Sequence, residues 1–162
     1  MDGREVSIGD IAGKEGTRVI FSCNHCPFVK AWQDRIASIG TAAKGKGVGV
    51  IVINSNDPAS YPEDSFTEMQ ARAKLLGFTF PYVVDATSGV ARSFDATRTP
   101  EAFLFDKDGK LVYHGAIDDS QKADQVEKHF LQDAIDAATA GKDIPVKETK
   151  FVGCGIKFRT KT

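Results

Sequence analysis

Cysteine is scarce in this chain: three residues among 162. Three unevenly spaced thiols cannot make a disulfide scaffold, which is small and cysteine-dense. Basic runs are missing as well. Lys plus Arg is 21 against 22 for Asp plus Glu, a formal charge of -1, and this argues against nucleic acid as the main partner. Long hydrophobic runs are also absent. The longest, residues 48–53, is broken by Gly49 and is far too short to cross a bilayer, so no membrane partner is expected. Residues 1–8 carry Asp2, Arg4 and Glu5 with no apolar stretch behind them, and no signal peptide is read there. No repeat, low-complexity tract or linker interrupts the chain. With 41% hydrophobic and 27% charged residues, it is neither disordered nor fibrous. What remains is one globular domain, able to bury roughly 70% of its unfolded surface. A small, odd number of thiols in such a chain points to thiol chemistry, metal binding or a spare core thiol, and a cytoplasmic location is expected.

Residues 18–22, Arg-Val-Ile-Phe-Ser, read as a short buried strand. Pro27 then opens a pattern in which Phe28, Trp32, Ile36 and Ile39 recur at helical spacing. Proline suits a first helical position because its φ is already helical and its missing N–H would have no partner there. Gly40 and the Gly45/Gly47 cluster end that segment. Residues 48–53 are almost continuously apolar, as in a parallel strand covered on both faces. A polar loop with two prolines follows over residues 54–62. Phe66, Met69, Ala73 and Leu76 mark a second amphipathic helix closed by Gly77. Residues 81–84 read as a third strand and 90–94 as a helical turn. Residues 102–105 and 111–113 flank Asp106-Lys-Asp-Gly-Lys110, a hairpin signal with Gly109 free to take a positive φ. Asp124-Gln-Val-Glu127 fits a capping box with Asp124 as cap, opening a last helix that runs to about Ala140. This order predicts an α/β fold with a mixed sheet of about five strands, right-handed crossovers and helices on both faces. Residues 1–141 make the domain. Residues 142–162 make a mostly polar tail that packs on it through Phe151, Val152, Cys154, Ile156 and Phe158.

The chemistry concentrates where the first strand meets the first helix, at Cys23-Asn24-His25-Cys26-Pro27. The carboxyl ends of strands are where parallel α/β sheets build sites. A helix start stabilises an anion through its free amides and dipole, and there a thiol's pKa can fall from about 8.5 to roughly 3.5–7.5. Since Pro27 is the natural first helical residue, Cys26 is the natural cap, with its sulfur over the first-turn amides. Cys26 is therefore the expected attacking thiol, and Cys23 a candidate resolving partner. The competing reading is a pair of inert core thiols. Metal is a weaker competitor. Cys23, His25 and Cys26 supply ligand types, but a structural zinc wants four ligands and no second pair is present. His25 reads as a turn residue or hydrogen-bonding neighbour that can assist thiolate formation. No Gly-rich phosphate loop follows any strand, so no cofactor is implied.

The segment Val19-Ile-Phe-Ser-Cys-Asn-His-Cys-Pro-Phe-Val-Lys30 resembles the signature of thioredoxin-like redoxins of the alkyl hydroperoxide reductase/thiol-specific antioxidant superfamily, and within it the peroxiredoxin-like subgroup. Asn54-Ser-Asn-Asp57, Thr99-Pro100, Tyr113-His-Gly-Ala-Ile-Asp-Asp119 and Val152-Gly-Cys-Gly-Ile-Lys157 extend the likeness over nearly the whole chain. The resemblance implies a thioredoxin fold of three α/β/α layers, with Pro100 in the cis-proline turn that faces the reactive thiol. It implies a thiol-disulfide oxidoreductase or a thiol peroxidase. The substrate would be a protein disulfide, small thiol or peroxide, and the reductant a protein dithiol or small thiol. The pattern also departs from the family. Laid on the thioredoxin strand, Cys26 takes the first active-site position and Val29 stands where the second cysteine would be. Peroxiredoxins place Thr or Ser three residues before the peroxidatic Cys and Pro seven before. Cys26 has Cys23 and Val19 there, and Cys23 has Ile20 and Gly16. Phe158 stands where related sequences often carry Trp.

Cys154 sits in an apolar patch of the tail and can fold back onto the first helix to pair with Cys23 or Cys26, because loop closure costs little extra over long separations. The alternative is an unpaired thiol anchoring the tail. A non-catalytic scaffold or redox sensor is the rival function, since fold alone grants no activity. Asp118-Asp119 reads as a solvated turn. Residues 54–57, at the same sheet edge as the cysteine junction, either line the site or form a polar turn.

Overall fold

A computed structural model describes residues 1–160; the last two residues of the predicted tail lie outside the described residues. In chain order the elements are α1 (Ile8–Ile11), β1 (Gly16–Phe21), α2 (Pro27–Gly45), β2 (Val48–Asn54), α3 (Phe66–Leu75), β3 (Tyr82–Val84), α4 (Gly89–Ser93), β4 (Arg98–Thr99), β5 (Glu101–Phe105), β6 (Leu111–Gly115), α5 (Phe130–Thr139) and β7 (Cys154–Gly155). Short 3-10 turns lie at Pro62–Asp64 and Ala123–Gln125. A five-stranded sheet runs in the order β3-β2-β1-β5-β6, and β4 with β7 forms a separate two-stranded sheet. β1 pairs in parallel with β2, and β2 with β3. β5 is antiparallel to both β1 and β6. This is the thioredoxin-like α/β architecture expected from the sequence.

The strands in the middle are buried on both faces, which is why β1 and β2 read as near-continuous apolar runs. One face of the sheet carries Ile20, Val50, Val52, Ala102 and Leu104, covered by Trp32 and Ile36 of α2, Met69 of α3, and Leu131 and Ile135 of α5. The other face carries Val19, Phe21, Ile51, Ile53 and Phe103, covered by Ala91 of α4, Ile156 of the tail and the partly buried Ile8 and Ile11 of α1. The hairpin between β5 and β6 turns through Gly109, whose φ of +79° suits glycine. No helix among the described residues is long and apolar enough to cross a membrane.

The structure differs from the sequence reading at several points: Gly40, expected to close the first helix, lies inside α2, and β4 with β7 forms a second sheet. The last helix begins at Phe130, not at Asp124, and His129 caps it without a side-chain bond. Asp119 explains the delay. Its carboxylate accepts the Glu127 amide at 3.0 Å, and its own amide donates to the Lys128 carbonyl at 3.2 Å. Those bonds tie residues 127 and 128 to Asp119, so that Asp124 lies in a 3-10 turn and residues 126–129 stay outside the helix. Asp118, expected in a solvated turn, is buried; it accepts Trp32 Nε1 at 2.7 Å and the Arg35 guanidinium. α1 was not foreseen, although Ser7 and Asp10 cap it reciprocally.

Arg18 breaks the apolar pattern of β1. It is fully buried, donates to the Ile36 carbonyl at 3.2 Å and lies 5.3 Å from the Phe80 ring centre, while its Nε and Nη2 have no partner. Burial pulls its pKa down to about 9. An unpaired buried cation destabilises a fold unless its donors are satisfied. Arg18→Met is therefore expected to leave stability unchanged or raise it by about 1 kcal/mol. Urea unfolding checks this, and a clear loss of stability would refute it.

Candidate active site

The first helix starts where β1 ends. Pro27 is the first residue of α2, and Cys26 takes the cap position with extended dihedrals (φ -67°, ψ 125°). The Ser22 amide still donates to the Ile53 carbonyl at 2.9 Å, so Cys23 leaves the sheet directly. Cys23, Cys26 and Val29 form one small buried cluster, against which Phe28 and Cys154 pack. Facing them is Thr99, whose peptide bond to Pro100 is cis. The Cys23 sulfur lies 3.3 Å from Thr99 Oγ1, and the Cys26 thiol lies 3.5 Å from the Thr99 carbonyl. Cys154, on β7, is the residue opposite Thr99. Cys23, Cys26 and Cys154, 131 positions apart at the extremes (154 minus 23), are thus brought to one spot beside Pro100, and all three are free thiols.

Two features differ from expectation. Cys26 has no exposed surface; Cys154 and the Thr99 turn cover it. Its sulfur also has no well-aligned capping hydrogen bond from the helix, the Val29 amide giving only a weaker electrostatic contribution. Proline removes the first amide, so the remaining first-turn dipoles act at longer range. The neighbouring thiols do most of the work instead. The Cys23 thiol donates to the Cys26 sulfur and, against the opposing effect of burial, holds its pKa down at about 4; the Cys154 thiol and the Val29 and Cys154 amides add to this. The same bond pushes Cys23 up, as does burial, with the Thr99 hydroxyl opposing and the Asp64 charge reinforcing. Cys154 is pushed up to about 11, first by burial and then by Cys26. Among the three clustered sulfurs, ionisation is thus favoured at Cys26 and disfavoured at Cys23 and Cys154.

Sequence reasoning missed Asp64. It comes from the 3-10 turn before α3 and is buried beneath the cysteine loop. One carboxylate oxygen accepts the Asn24 amide at 2.6 Å and Asn54 Nδ2 at 3.2 Å. The other accepts Asn56 Nδ2 at 3.0 Å and faces His25 Nδ1. Burial raises its pKa, but the Asn24 amide, Asn56 and His25 outweigh burial and hold it below the usual value. His25 stacks on Tyr61 with ring centres 4.0 Å apart, and Tyr82 donates to Asn24 Oδ1 at 3.0 Å. Ligand atoms of Cys23, His25 and Asp64 lie within 4.8 Å of one another. Both Asp64 oxygens already take two donors each, so Asp64 with His25 works as a hydrogen-bonded anchor for the loop rather than as an open metal ligand. No local signal marks Asp64, because its partners lie up to 40 residues away in sequence.

A second buried carboxylate, Glu101, follows Pro100 directly. It accepts the Thr97 and Arg98 amides at 2.9 and 3.1 Å, and its other oxygen lies 2.7 Å from His114 Nε2. His114 in turn exchanges backbone bonds with the tail, its amide to the Lys147 carbonyl and its carbonyl from the Thr149 amide. Glu101 thereby links the proline turn to the tail.

Comparison with known proteins shows which fold and family the chain resembles. Over 99% of its length the chain is similar to an uncharacterized conserved protein from Geobacillus kaustophilus, at 39% identity and a TM-score of 0.92, covering 86% of that chain. A hypothetical protein from Sinorhizobium meliloti 1021 is 34% identical over 98% of this chain and 88% of its own, with a TM-score of 0.91. Among curated proteins, thiol-disulfide oxidoreductase ResA of Geobacillus thermodenitrificans is 25% identical over 111 residues, which is 68% of this chain and 59% of that protein. The chain thus spans somewhat over half the length of that relative. The Redoxin family model matches residues 1–129. The chain belongs to the Redoxin family.

Proposed function

We propose that the protein is a thiol-disulfide oxidoreductase of the peroxiredoxin-like kind, with Cys26 as the attacking thiolate and a second cysteine, Cys23 or Cys154, as the resolving thiol. One observation carries this reading: three free thiols meet at one spot against Thr99, with Cys26 at the cap position of a helix. The thiol-disulfide oxidoreductase activity of the ResA relative and the Redoxin match support it. The Cys26 thiolate attacks one sulfur of a protein or small-molecule disulfide and expels the other as thiolate. The resolving thiol, once deprotonated, attacks Cys26 Sγ and releases the substrate's second thiolate. An internal disulfide remains, and a protein dithiol or small thiol returns both electrons. With a peroxide, the same thiolate would take one oxygen as sulfenic acid and release water or an alcohol, and the resolving thiol would then expel water.

The test is alkylation of the reduced protein across a range of pH, with sites assigned by mass spectrometry. Cys26 is expected to react first, with its inflection well below the ordinary thiol value of 9.0. An inflection at the ordinary value overturns the reading. The burial of Cys26 favours one rival, a sensor thiol reached only when the tail moves. The rival predicts that a Cys26 which has reacted with a disulfide stays as the mixed disulfide, with no turnover when a small thiol is supplied.

A further inference from the structure

The tail does more than cover Cys26. β7 lies antiparallel on β4, with Cys154 opposite Thr99 and Gly155 opposite Arg98. The Ile156 amide donates to the Thr97 carbonyl at 2.9 Å, and Arg98 Nη1 donates to the Gly153 carbonyl at 3.0 Å. This is an extended, cysteine-bearing segment added as a strand, with its sulfur against Cys26. Its fit is close at one point. A Cβ on Gly153 would fall 2.3 Å from the Thr99 carbonyl oxygen and 2.8 Å from the carbonyl carbon. Both are backbone atoms and cannot swing away, and the φ of Gly153 is not in the left-handed region. Space, not conformation, demands glycine before the cysteine. The residues ahead of it, Phe151 and Val152, border a groove of about 290 Å³ floored by Trp32, Pro100 and Phe130.

We propose that residues 153–155 are a tethered occupant of the substrate's place, and that the partner is an extended protein segment in which glycine precedes the disulfide cysteine. The inference rests on the oxidoreductase reading above. The partner strand docks on β4 as the tail lifts away, and its cysteine takes the place of Cys154. The Cys26 thiolate attacks that sulfur and expels the other half of the partner's disulfide as thiolate. Cys23, beneath Cys26, then gives up its proton to solvent, attacks Cys26 Sγ and releases the partner as thiol. A small thiol or protein dithiol reduces the Cys23–Cys26 bond. A tethered competitor acts at an effective concentration of roughly millimolar, so its anchors set the rate. Those anchors are the buried Ile156 and the bonds of Lys157 with Asn56 and Asp57.

The test uses two peptides, Phe-Val-Gly-Cys-Gly-Ile-Lys and the same sequence with Val in place of Gly before Cys. Each is disulfide-linked to 5-thio-2-nitrobenzoate, whose release is followed by colour. The full-length protein is expected to react with the glycine peptide about tenfold faster or more, the cost of forcing a Cβ into packed backbone. Gly153→Val and, independently, Arg98→Met loosen the tail and are expected to raise the rate with the glycine peptide. Arg98→Met serves if Gly153→Val melts the fold. Equal rates for the two peptides, with rapid reaction of the free dinitrobenzoate disulfide at Cys26, overturn this inference alone. Failure of the free disulfide to react overturns the oxidoreductase reading as well. Disulfide-linked dimers joined at Cys154 in Gly153→Val would make a second copy the occupant and also refute the proposal.

Discussion

Cys26→Ser is expected to abolish disulfide exchange, with a loss of at least about three orders of magnitude, because a serine hydroxyl at neutral pH carries no appreciable anion. The reduced protein is assayed by release of thiolate from a dinitrobenzoate disulfide. Cys23→Ser and Cys154→Ser should behave differently. Each removes one thiol donor to Cys26, so each should move the Cys26 inflection upward, with Cys23→Ser the larger because its bond is the leading cause. Each should still release the first thiolate. Whichever variant then accumulates a stable mixed disulfide at Cys26 has lost the resolving cysteine. If Cys26→Ser retains exchange while Cys23→Ser loses it, the attacking thiol is Cys23 and the electrostatic argument fails.

Asp64→Ala is expected to cost about 3–5 kcal/mol of stability, measured by chemical unfolding. The substitution strands the Asn24 amide, two asparagine amides and His25 inside the fold. The sign of the pH dependence follows from the lowered pKa. The unfolded carboxyl titrates near 3.8 and the folded one below it. The contribution of Asp64 is therefore complete above pH 3.8 and is lost as the pH falls through the folded value. The difference between the wild-type protein and Asp64→Ala should shrink in that acidic window. A difference under 1 kcal/mol at neutral pH, or one that grows as the pH falls, would show that Asp64 does not anchor the loop. Because Asp64 acts through the Cys23–Cys26 loop, the variant should also slow Cys26 alkylation, which a remote stability defect would leave unchanged.

Local chemistry was legible in the chain itself. Pro27 after Cys26 sets a helix start with a thiol at its cap, and nothing distant is needed for that. Gly109 makes its turn, and the apolar runs at residues 48–53 and 102–105 make strands, because backbone conformation and side-chain pattern act over a few residues. What the sequence could not show is which polar groups end up facing one another. Asp124 fits a cap, yet it sits in a short 3-10 turn, and Asp119 ties down residues 127 and 128 so that the helix starts only at Phe130. Asp118 looked solvent-facing, yet Trp32 and Arg35 draw it inward. The low pKa was legible as a place but not as a cause, since the donors are Cys23 and, from the far end of the chain, Cys154. Asp64 carries no local mark at all. Such pairings depend on strand order and helix packing, which bring residues dozens of positions apart within 3 Å; short-range propensity has no term for them, and only the assembled sheet decides them.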